Sequence, residues 1–245
     1  MPHDFSGRTA LVTGATSGIG RATAVALAER GAAVVVHGRD PRRAAETVAL
    51  IEEKGGTARF EAADLADPAE VTRLAARAGS VDVLVNNAGI FRFASTADTD
   101  QATFGAHLDV NLRAPFLLVQ ALVPAMVARG RGAVVNLSSG AASTPGFGTG
   151  VYGASKAALE SLTRVWAAEF GPAGVRVNAV AAGPTRTEGT AVHGEAFESA
   201  AQSVALRRLA DAEEIAEAVV FLASDAADYV NGATLSAMGG LPALG

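Results

Sequence analysis

The chain has 245 residues, of which 49% are hydrophobic and 18% charged, and its formal net charge is −5. This length and apolar content fit one large domain with a substantial core, and the acidic balance argues against a nucleic-acid binder. The absence of cysteine excludes disulfides and a cysteine nucleophile, and the four histidines lack metal-ligand spacing, so we expect no metal site. No apolar run reaches the about 18 residues of a membrane span, and the first residues lack the features of a signal peptide. The sequence therefore predicts a soluble, cytoplasmic protein.

Short apolar runs alternate with longer helical stretches along the chain, as in a parallel sheet with crossover helices. No internal repeat and no linker rich in Pro, Gly and Ser interrupts this pattern, which predicts one α/β domain over residues 1–245. The runs that read as strands are residues 9–13, 33–37, 58–62, 81–86, 132–137, 175–180 and 233–237.

A glycine-rich turn, Thr13-Gly-Ala-Thr-Ser-Gly-Ile-Gly20, separates the first strand from a helical stretch. Its three glycines let the backbone turn tightly, approach a pyrophosphate and pack the new helix against the strand. The free amides and the dipole of that helix favour phosphate. The G-x-x-x-G-x-G spacing differs from the G-x-G-x-x-G dinucleotide fingerprint, and no Gly-Lys-Ser/Thr follows, which argues against an NTPase. The turn predicts a dinucleotide-binding loop.

Acidic residues mark the start of several predicted helices. Asp40 precedes Pro41, which suits the first helical position. The segments Asp67–Glu70 and Asp211–Glu214 have the spacing of capping boxes, in which the two side chains satisfy each other's backbone amides.

Tyr152 and Lys156 stand four positions apart in VYGASKAALE, so on a helix they share a face. A nearby ammonium favours the phenolate. Two unit charges about 4 Å apart at an effective dielectric of about 20 interact by roughly 4 kcal/mol. At about 1.4 kcal/mol per unit, this lowers a phenol pKa from about 10 toward about 7. The pair predicts a group that exchanges a proton near neutral pH, although an exposed tyrosine beside a solvated lysine has the same spacing.

The connection from about Ala181 to about Leu206 shows no clear secondary structure. A loop of this length in a compact domain is usually a lid or binding loop, and the alternative is a disordered surface segment. We favour the interpretation that residues 181–206 form a substrate lid.

Four motifs, TGATSGIG (13–20), NNAG (86–89), VVNLSS (134–139) and YGASK (152–156), together resemble the short-chain dehydrogenase/reductase family in its compact single-domain branch. The likeness runs from about Phe5 to Gly240, and each motif falls at the end of an expected strand. The resemblance implies a Rossmann-type, doubly wound parallel sheet with helices on both faces. It also implies a nicotinamide cofactor and an oxidoreductase that acts on a carbonyl/alcohol pair.

Members of this family handle a proton with a tyrosine, a lysine, a serine and an asparagine. The resemblance assigns the first two roles to Tyr152 and Lys156 and the asparagine to Asn111. The serine is Ser138 or Ser139, and the family's spacing of 13 residues before the tyrosine favours Ser139. Ser139 then stabilises the developing charge on the substrate oxygen, and Tyr152 supplies or removes the proton. Lys156 lowers the phenol pKa and binds the nicotinamide ribose, while Asn111 distorts its helix and holds a water beside the lysine.

The resemblance also implies a set of cofactor contacts, which include the glycine loop, an acid at the adenine, the NNAG segment and a carboxamide-gripping segment after the sixth strand. The implied contacts are Gly14, Thr16, Ser17, Gly18, Ile19, Gly20, Arg39, Asp64, Leu65, Asn86, Ala88, Gly89, Tyr152, Lys156, Gly183, Thr185 and Thr187.

The choice between NADP(H) and NAD(H) depends on the end of the second strand. An acid about 20 residues after the glycine loop selects NAD, and Asp40 has that spacing from Gly20. In this family, however, the discriminating acid ends the second strand, where Gly38 stands, and capping a helix explains Asp40. Arg39 can reach a 2′-phosphate, although Ser17 does not reinforce it. We predict a preference for NADP(H).

Family resemblance does not choose a substrate, because members accept steroids, sugars, polyols, acyl thioesters and aromatic ketones on nearly the same scaffold. Layout and loop lengths make 3-oxoacyl thioester reduction the alternative within the class. Six residues are candidates for an apolar pocket wall, although each also suits core or surface: Phe91, Phe93, Phe147, Val151, His193 and Phe197.

Two other functional classes share a glycine loop of this kind but fit the remaining motifs less well than an enzyme with a small-molecule substrate. A non-catalytic nucleotide sensor on this fold commonly loses the tyrosine or the lysine, and an α/β methyltransferase has no reason to hold both with the serine. Apolar residues cover more than one face of the predicted helices around 100–128 and 150–170, which indicates self-association. Together with the resemblance, this predicts a homodimer or homotetramer without nucleic-acid or membrane partners.

Overall fold

A computed structural model describes residues 3–144, 146, 148–191, 194, 197 and 199–240. Seven parallel strands form the central sheet, in the order β3-β2-β1-β4-β5-β6-β9, and β7 pairs with β8 in a separate two-stranded sheet. The strands are β1 (Thr9–Val12), β2 (Ala33–Gly38), β3 (Thr57–Ala62), β4 (Val83–Asn86), β5 (Gly132–Ser139), β6 (Val175–Ala182), β7 (Thr185–Arg186), β8 (Ala210–Asp211) and β9 (Thr234–Ala237).

Helices cover both faces of the central sheet, as a parallel sheet requires. A π-helical turn, Asp109–Arg113, joins two of them into one continuous run. The helices are α1 (Gly18–Glu29), α2 (Pro41–Glu53), α3 (Pro68–Ala78), α4 (Gln101–Leu108), α5 (Ala114–Arg129), α6 (Gly150–Phe170), α7 (Glu188–Ala191) and α8 (Ala212–Ala223). Short 3₁₀ turns lie at Gly140–Ala142, Gly171–Ala173, Ser199–Ser203 and Asp225–Ala227.

Two apolar layers hold the helices to the sheet. One contains Leu27 from α1 and Ile215 from α8 against β1 and β2. The other contains Leu118 from α5 and Trp166 from α6 against β4 and β5. Each of these side chains is at most 3% exposed, so each stabilises the fold by roughly 1.5–3 kcal/mol through burial. The predicted fold class and the seven predicted strands of this sheet are confirmed.

The strand order reverses between β1 and β4. The chain moves outward from β1 to β3 in one direction and from β4 to β6 in the other. A crevice opens at such a reversal, outside the carboxyl ends of the strands. The glycine-rich turn after β1 and the NNAG segment after β4 border this crevice.

Two local predictions need correction. Asp67 caps α3 by accepting from the Ala69 amide, but the Glu70 carboxylate accepts from the Asp64 amide rather than from the cap residue. The predicted capping box at Asp67–Glu70 is therefore wrong, whereas the box at Asp211–Glu214 is present.

The segment from residue 181 to 206 also differs from its prediction, since its described part is not without structure. It contains the end of β6, β7, α7 and a 3₁₀ turn. Periodicity does not reveal such short elements, because four residues complete about one helical turn.

Within the described part of the chain, one helical run, Gln101–Arg129, is long and apolar enough to cross a membrane by length and composition. Its α5 section buries Leu118, Val119 and Leu122 beside the sheet and α3. This run is a core helix of the fold.

Candidate active site

A cavity of about 940 Å³ follows the carboxyl ends of the strands. The turn after β1 and the end of β2 bound it on one side, and the end of β5 and the start of α6 bound it on the other. Most of the predicted site residues line this cavity: Gly14, Thr16, Ser17, Gly18, Ile19, Gly20, Arg39, Asp64, Leu65, Ala88, Gly89, Ser139, Tyr152, Lys156, Gly183, Thr185 and Thr187.

The glycine loop has a geometry that side chains would not permit. Gly14 and Gly18 adopt φ values of +65° and +49°, in the region that L-residues with a Cβ rarely enter. A Cβ on Gly20 would lie 2.2 Å from the Gly14 carbonyl oxygen. These three positions therefore require glycine, and they leave the start of α1 open to the cavity.

Thr13 and Asn87 fasten this loop to the segment after β4. The Thr13 Oγ1 accepts hydrogen bonds of 3.0 Å from the backbone amides of Asn87 and Ala88. In return, the Asn87 Nδ2 donates to the Thr13 carbonyl at 2.8 Å and to the Gly14 carbonyl at 3.2 Å. The two sides of the crevice are thus held at a fixed separation.

His37 joins the loop to the next strand edge. Its Nδ1 accepts from the Gly14 amide at 3.2 Å, so its Nε2 carries the proton and donates to the Ala63 carbonyl at 3.1 Å. The imidazole is 2% exposed, and this burial lowers its pKa from 6.5 to about 4. His37 is therefore neutral at physiological pH.

The end of β2 has no room for an acidic side chain. A Cβ on Gly38 would lie 2.4 Å from the Thr16 Cγ2. Asp40 caps α2 instead, because its Oδ1 accepts from the Arg42 amide at 2.9 Å and from the Arg43 amide at 3.4 Å. Arg39 is exposed and lines the cavity at this end.

Ser139 and Tyr152 meet at the other end of the cavity. Ser139 ends β5 and Tyr152 lies in the first turn of α6, and the Ser139 side chain lies near enough to the phenol to lower its pKa. Burial raises the pKa of Tyr152 above its usual 10.0, and the nearby Ser139 hydroxyl opposes that rise. The neighbouring Ser138 hydroxyl is buried and donates to the Glu160 Oε1 at 2.5 Å, which fits a structural role.

Lys156 lies one helical turn after Tyr152 and is 4% exposed. Its Nζ donates to the Leu137 carbonyl at 2.6 Å, and burial lowers its pKa from 10.5 to about 8. The ammonium is directed at this carbonyl, and burial dominates the pKa of the phenol. The predicted lowering of the Tyr152 pKa by Lys156 is wrong for this structure, since burial of both groups outweighs their shared helix face.

Asn111 sits in the π-helical turn between α4 and α5 and is completely buried. Its Oδ1 accepts from the Ile90 amide at 2.8 Å, and its Nδ2 donates to the Ile90 carbonyl and to the Ser155 Oγ. The predicted distortion of the helix at Asn111 is present. A Cβ on Gly89 would lie 3.3 Å from both the Asn111 Oδ1 and the Lys156 Nζ, so both polar groups lie close to the Gly89 backbone.

Glu188, at the start of α7, reaches across the cavity to the start of α1. Its Oε2 accepts from the Gly18 amide at 2.9 Å and its Oε1 accepts from the Arg21 Nη1 at 3.1 Å. The Arg21 Nη2 donates to the Thr16 carbonyl at 2.6 Å. A carboxylate therefore occupies the positive end of the α1 dipole, a position that favours anions.

The chain resembles known proteins over nearly its whole length. A family model described as enoyl-(acyl carrier protein) reductase matches residues 14–242. The cis-4-hydroxycyclohexanecarboxylate dehydrogenase of Sinomonas cyclohexanicum is 41% identical over 100% of both chains. A solved structure described as a short chain dehydrogenase/reductase family protein is 52% identical, has a TM-score of 0.92 and is matched over 98% of its length and 97% of this chain.

This chain belongs to the short-chain dehydrogenase/reductase family. It is therefore a member of a family of dehydrogenases and reductases that act on alcohol and carbonyl substrates. A solved 3-oxoacyl (acyl-carrier-protein) reductase from Agrobacterium tumefaciens C58 with NADP bound is also similar, with 34% identity, a TM-score of 0.93 and matches over 98% of this chain and 96% of that one.

Some positions predicted at the site of this short-chain dehydrogenase/reductase lie outside the cavity lining. Asn86 lies outside the cavity lining and donates from its Nδ2 to the buried Asn136 Oδ1 at 2.9 Å, so it supports the sheet. Its neighbour Asn87 lines the cavity instead. The predicted pocket-wall residue Val151 is also outside the lining.

The other pocket-wall candidates divide into two groups. Phe91, Phe93 and Phe197 line the cavity. Phe147 and His193 lie outside the described residues.

Sequence reasoning assigned no role to several residues that line or hold this short-chain dehydrogenase/reductase site, among them Thr13, His37, Arg43, Asn87 and Glu188. Thr13 and Asn87 stand inside the recognised motifs, so motif position was a usable signal for them. His37 and Glu188 carried no such signal, because their bonds join segments that are 23 and 170 residues apart.

Proposed function

We propose that this protein is an NADP(H)-dependent oxidoreductase that interconverts a carbonyl compound and a secondary alcohol, with Tyr152 as the general acid and base. One observation carries the proposal. The Ser139 and Tyr152 side chains and the buried Lys156 stand at one end of a long cavity, and a glycine loop that opens a helix N-terminus stands at the other.

The residues present fit a nicotinamide dinucleotide. The cradle formed by Gly14, Gly18 and Gly20 has no space for added side chains, as close approach of a pyrophosphate requires. Asp64 and Leu65 line the adenosine end, while Thr185 and Thr187 line the opposite end, where they are candidates to hold the carboxamide. When bound, the cofactor supplies or accepts the hydride.

The protein's own part is proton transfer and charge stabilisation. Ser139 donates a hydrogen bond to the substrate oxygen, and Tyr152 delivers the proton to that oxygen or removes it from the alcohol. Lys156 has three donors, so one on the Leu137 carbonyl leaves two for the ribose and a water. Asn111 and Lys156 both lie close to Gly89, and in this proposal Asn111 holds a water beside the lysine from which the phenol regains its proton.

The end of β2 supports NADP(H) over NAD(H). Gly38 cannot be replaced by an acid without displacing Thr16, and Asp40 is engaged in capping α2. Arg39 and Arg43 both line the cavity there. One charge-assisted bond to a 2′-phosphate contributes roughly 1.5–3 kcal/mol, which corresponds to a preference of about 10- to 100-fold.

A 3-oxoacyl thioester reductase is the alternative within the same chemistry. It is supported by the similarity to the Agrobacterium tumefaciens reductase and by the description of the matching family model. A non-catalytic nucleotide sensor is the alternative that performs no chemistry, and the proximity of Ser139 to Tyr152 favours an enzyme.

The proposal also includes a cytoplasmic location, a homodimer or homotetramer, and a lid formed by residues 181–206 of a single catalytic domain.

The experiment is a screen of ketones and alcohols followed at the nicotinamide absorbance with each cofactor. Tyr152→Phe should retain fold and cofactor affinity while turnover falls by roughly 10² or more. Arg39→Ala should weaken NADPH much more than NADH. Arg42→Ala is the matched control, because Arg42 is 90% exposed and pairs with Glu46. Near-normal turnover of Tyr152→Phe would reject the catalytic assignment, and tighter NADH binding by the wild type would reject the cofactor preference.

A further inference from the structure

Three aromatic rings surround the catalytic end of the cavity. The Phe91 and Phe93 ring centroids lie 6.4 and 6.1 Å from that of Tyr152, with interplanar angles of 65° and 85°. The two phenylalanine rings are 6.1 Å apart and tilted by 41°. Both line the cavity, so the space beside the phenol hydroxyl has an aromatic wall.

Neighbouring segments hold this wall in place. The Ala94 amide donates to the Gly148 carbonyl at 3.1 Å, which ties the residues after Phe93 to the loop before α6. On the other side, a Cβ on Gly189 of α7 would lie 3.6 Å from the Phe91 Cζ. The wall is therefore formed by the fold and does not depend on a ligand to assemble it.

Two hydroxyl groups of the cavity lining are engaged within the protein. The Thr149 Oγ1 donates to the Gly146 carbonyl at 2.7 Å and accepts from the Gly146 amide at 3.2 Å. The Thr190 Oγ1 donates to the Thr185 carbonyl and accepts from the Thr187 amide, each at 2.9 Å. The lining here therefore returns few of the hydrogen bonds with water that a polyhydroxylated substrate would give up on binding.

The positions of the charged side chains in the cavity lining restrict the substrate further. Among the described lining residues, the cationic side chains are Arg39, Arg43 and Lys156. The two arginines lie at the end of β2 and the start of α2, on the adenosine side. Lys156 is buried on the Leu137 carbonyl beneath the phenol. A carboxylate on the substrate would therefore enter an aromatic wall without a counter-ion, and this is unfavourable.

We propose that the substrate is an uncharged ketone, or the matching secondary alcohol, whose body is an apolar ring. Aromatic faces stabilise ring edges beyond simple burial, and Phe91 and Phe93 supply such faces beside Tyr152. In the reduction, hydride from the reduced nicotinamide forms the new C–H bond, the C=O π bond breaks, and Tyr152 gives its proton to the oxygen. This inference rests on the proposed function, since it concerns the same site.

The test compares three ketones at constant NADPH: 4-methylcyclohexanone, 4-oxocyclohexanecarboxylate, and a hexulose. The first two differ in a single ring substituent, methyl or carboxylate, so their ratio measures the effect of charge. We expect kcat/KM for 4-methylcyclohexanone to exceed that for each of the others by at least about tenfold. Equal or higher values for the carboxylate or the sugar would overturn the inference.

Two phenylalanines provide a matched pair of variants. Phe93 and Phe104 are each 51% exposed, so neither substitution should unfold the protein. Phe93 lines the cavity, whereas Phe104 lies outside the lining. Phe93→Ala should raise KM for 4-methylcyclohexanone by about fivefold or more and leave KM for NADPH unchanged, while Phe104→Ala should change neither. An unchanged KM for the ketone in Phe93→Ala would refute the aromatic wall.

The same data separate this inference from the proposed function. If no ketone is reduced, or if Tyr152→Phe is as active as the wild type, the proposed chemistry itself fails. If turnover depends on Tyr152 but favours the carboxylate or the sugar, the chemistry stands and the substrate class is wrong.

Discussion

His37 links acid sensitivity to the cofactor loop. Its two ring nitrogens are bonded to the Gly14 amide and the Ala63 carbonyl, and the bond from Gly14 requires an unprotonated Nδ1. Protonation would place a second N–H against a backbone N–H in a buried site. The neutral form is therefore part of the folded structure.

We predict that His37 makes the free energy of unfolding depend on pH. The pKa is about 4 in the folded protein against 6.5 for an ordinary histidine, so the unfolded chain binds the proton first. The stabilisation is complete above about pH 6.5 and is lost as the pH falls toward 4, by about 3 kcal/mol in total. Denaturant titrations of wild type and His37→Gln between pH 4 and 7 should show a flatter profile for the variant. Parallel profiles would contradict the prediction.

The site residues that could be predicted from the sequence are those that belong to recognisable motifs. Ser139, Tyr152 and Lys156 follow from type and spacing, and the structure brings them to one end of the cavity. The direction of the Tyr152 pKa shift did not follow, because spacing gives a shared helix face but not the depth of burial or the carbonyl that takes the ammonium. Asn86, predicted as a cofactor contact, lies outside the cavity lining with its Nδ2 on the Asn136 Oδ1, and spacing alone does not reveal that buried partner.

At the scale of elements, Glu188 connects α7 with the start of α1. Its carboxylate accepts from the Gly18 amide and from Arg21, at the helix end where the proposed pyrophosphate site lies. Opening of the segment that carries α7 must therefore break two charge-assisted bonds. Such a contact joins the proposed lid to the cofactor loop.

We predict that Glu188→Gln binds NADPH about three- to tenfold more tightly, because removing the charge weakens a competitor for the helix N-terminus. Fluorescence titration of NADPH measures the dissociation constant. Glu46→Gln is the control: the Glu46 carboxylate lies 3.7 Å from the Arg21 Nη2, and it has no bond to Gly18. Weaker NADPH binding by Glu188→Gln would mean that the carboxylate closes over the bound dinucleotide, which is the opposite of this prediction.

Strands and long helices were predictable from pattern because each carries several turns or alternations of the same signal. The two-residue strands β7 and β8 were not, since they exist by pairing Thr185 with Ala210 across 25 residues of chain. The missed capping arrangement at α3 has a similar cause. The Asp67 amide donates to the Asp64 carbonyl at 3.1 Å, and the Glu70 carboxylate accepts from the Asp64 amide.

At the scale of the whole molecule, α5 and α6 leave apolar side chains on the surface. Phe116 is 45% exposed and Val165 is 53% exposed, and the Phe116 ring lies 6.1 Å from that of buried Trp166. Exposed apolar groups beside a core residue are typical of an interface. This surface is the structural basis for the proposed self-association.

Light scattering should give a mass of two or four times the 24.6 kDa chain. Val165→Glu should shift that mass toward a single chain, because it places an unpaired charge in the interface. Ala45→Glu, at an exposed position of α2, is a control that should leave the assembly intact. A single-chain mass for the wild type would contradict the prediction.

The burial of Lys156 has a consequence for chemical labelling. The sequence contains two lysines, Lys54 and Lys156, among 20 basic residues. Lys54 is on the surface beside Glu29. Amine-directed dyes and supports therefore modify the folded protein at Lys54, which is not part of the proposed cofactor site. Above about pH 8 the Lys156 amine loses its charge and becomes a nucleophile on the wall of the cofactor cavity. Reductive alkylation of Lys156 by a small aldehyde should then be slower when a ligand fills the cavity, so the extent of modification at this one residue measures occupancy.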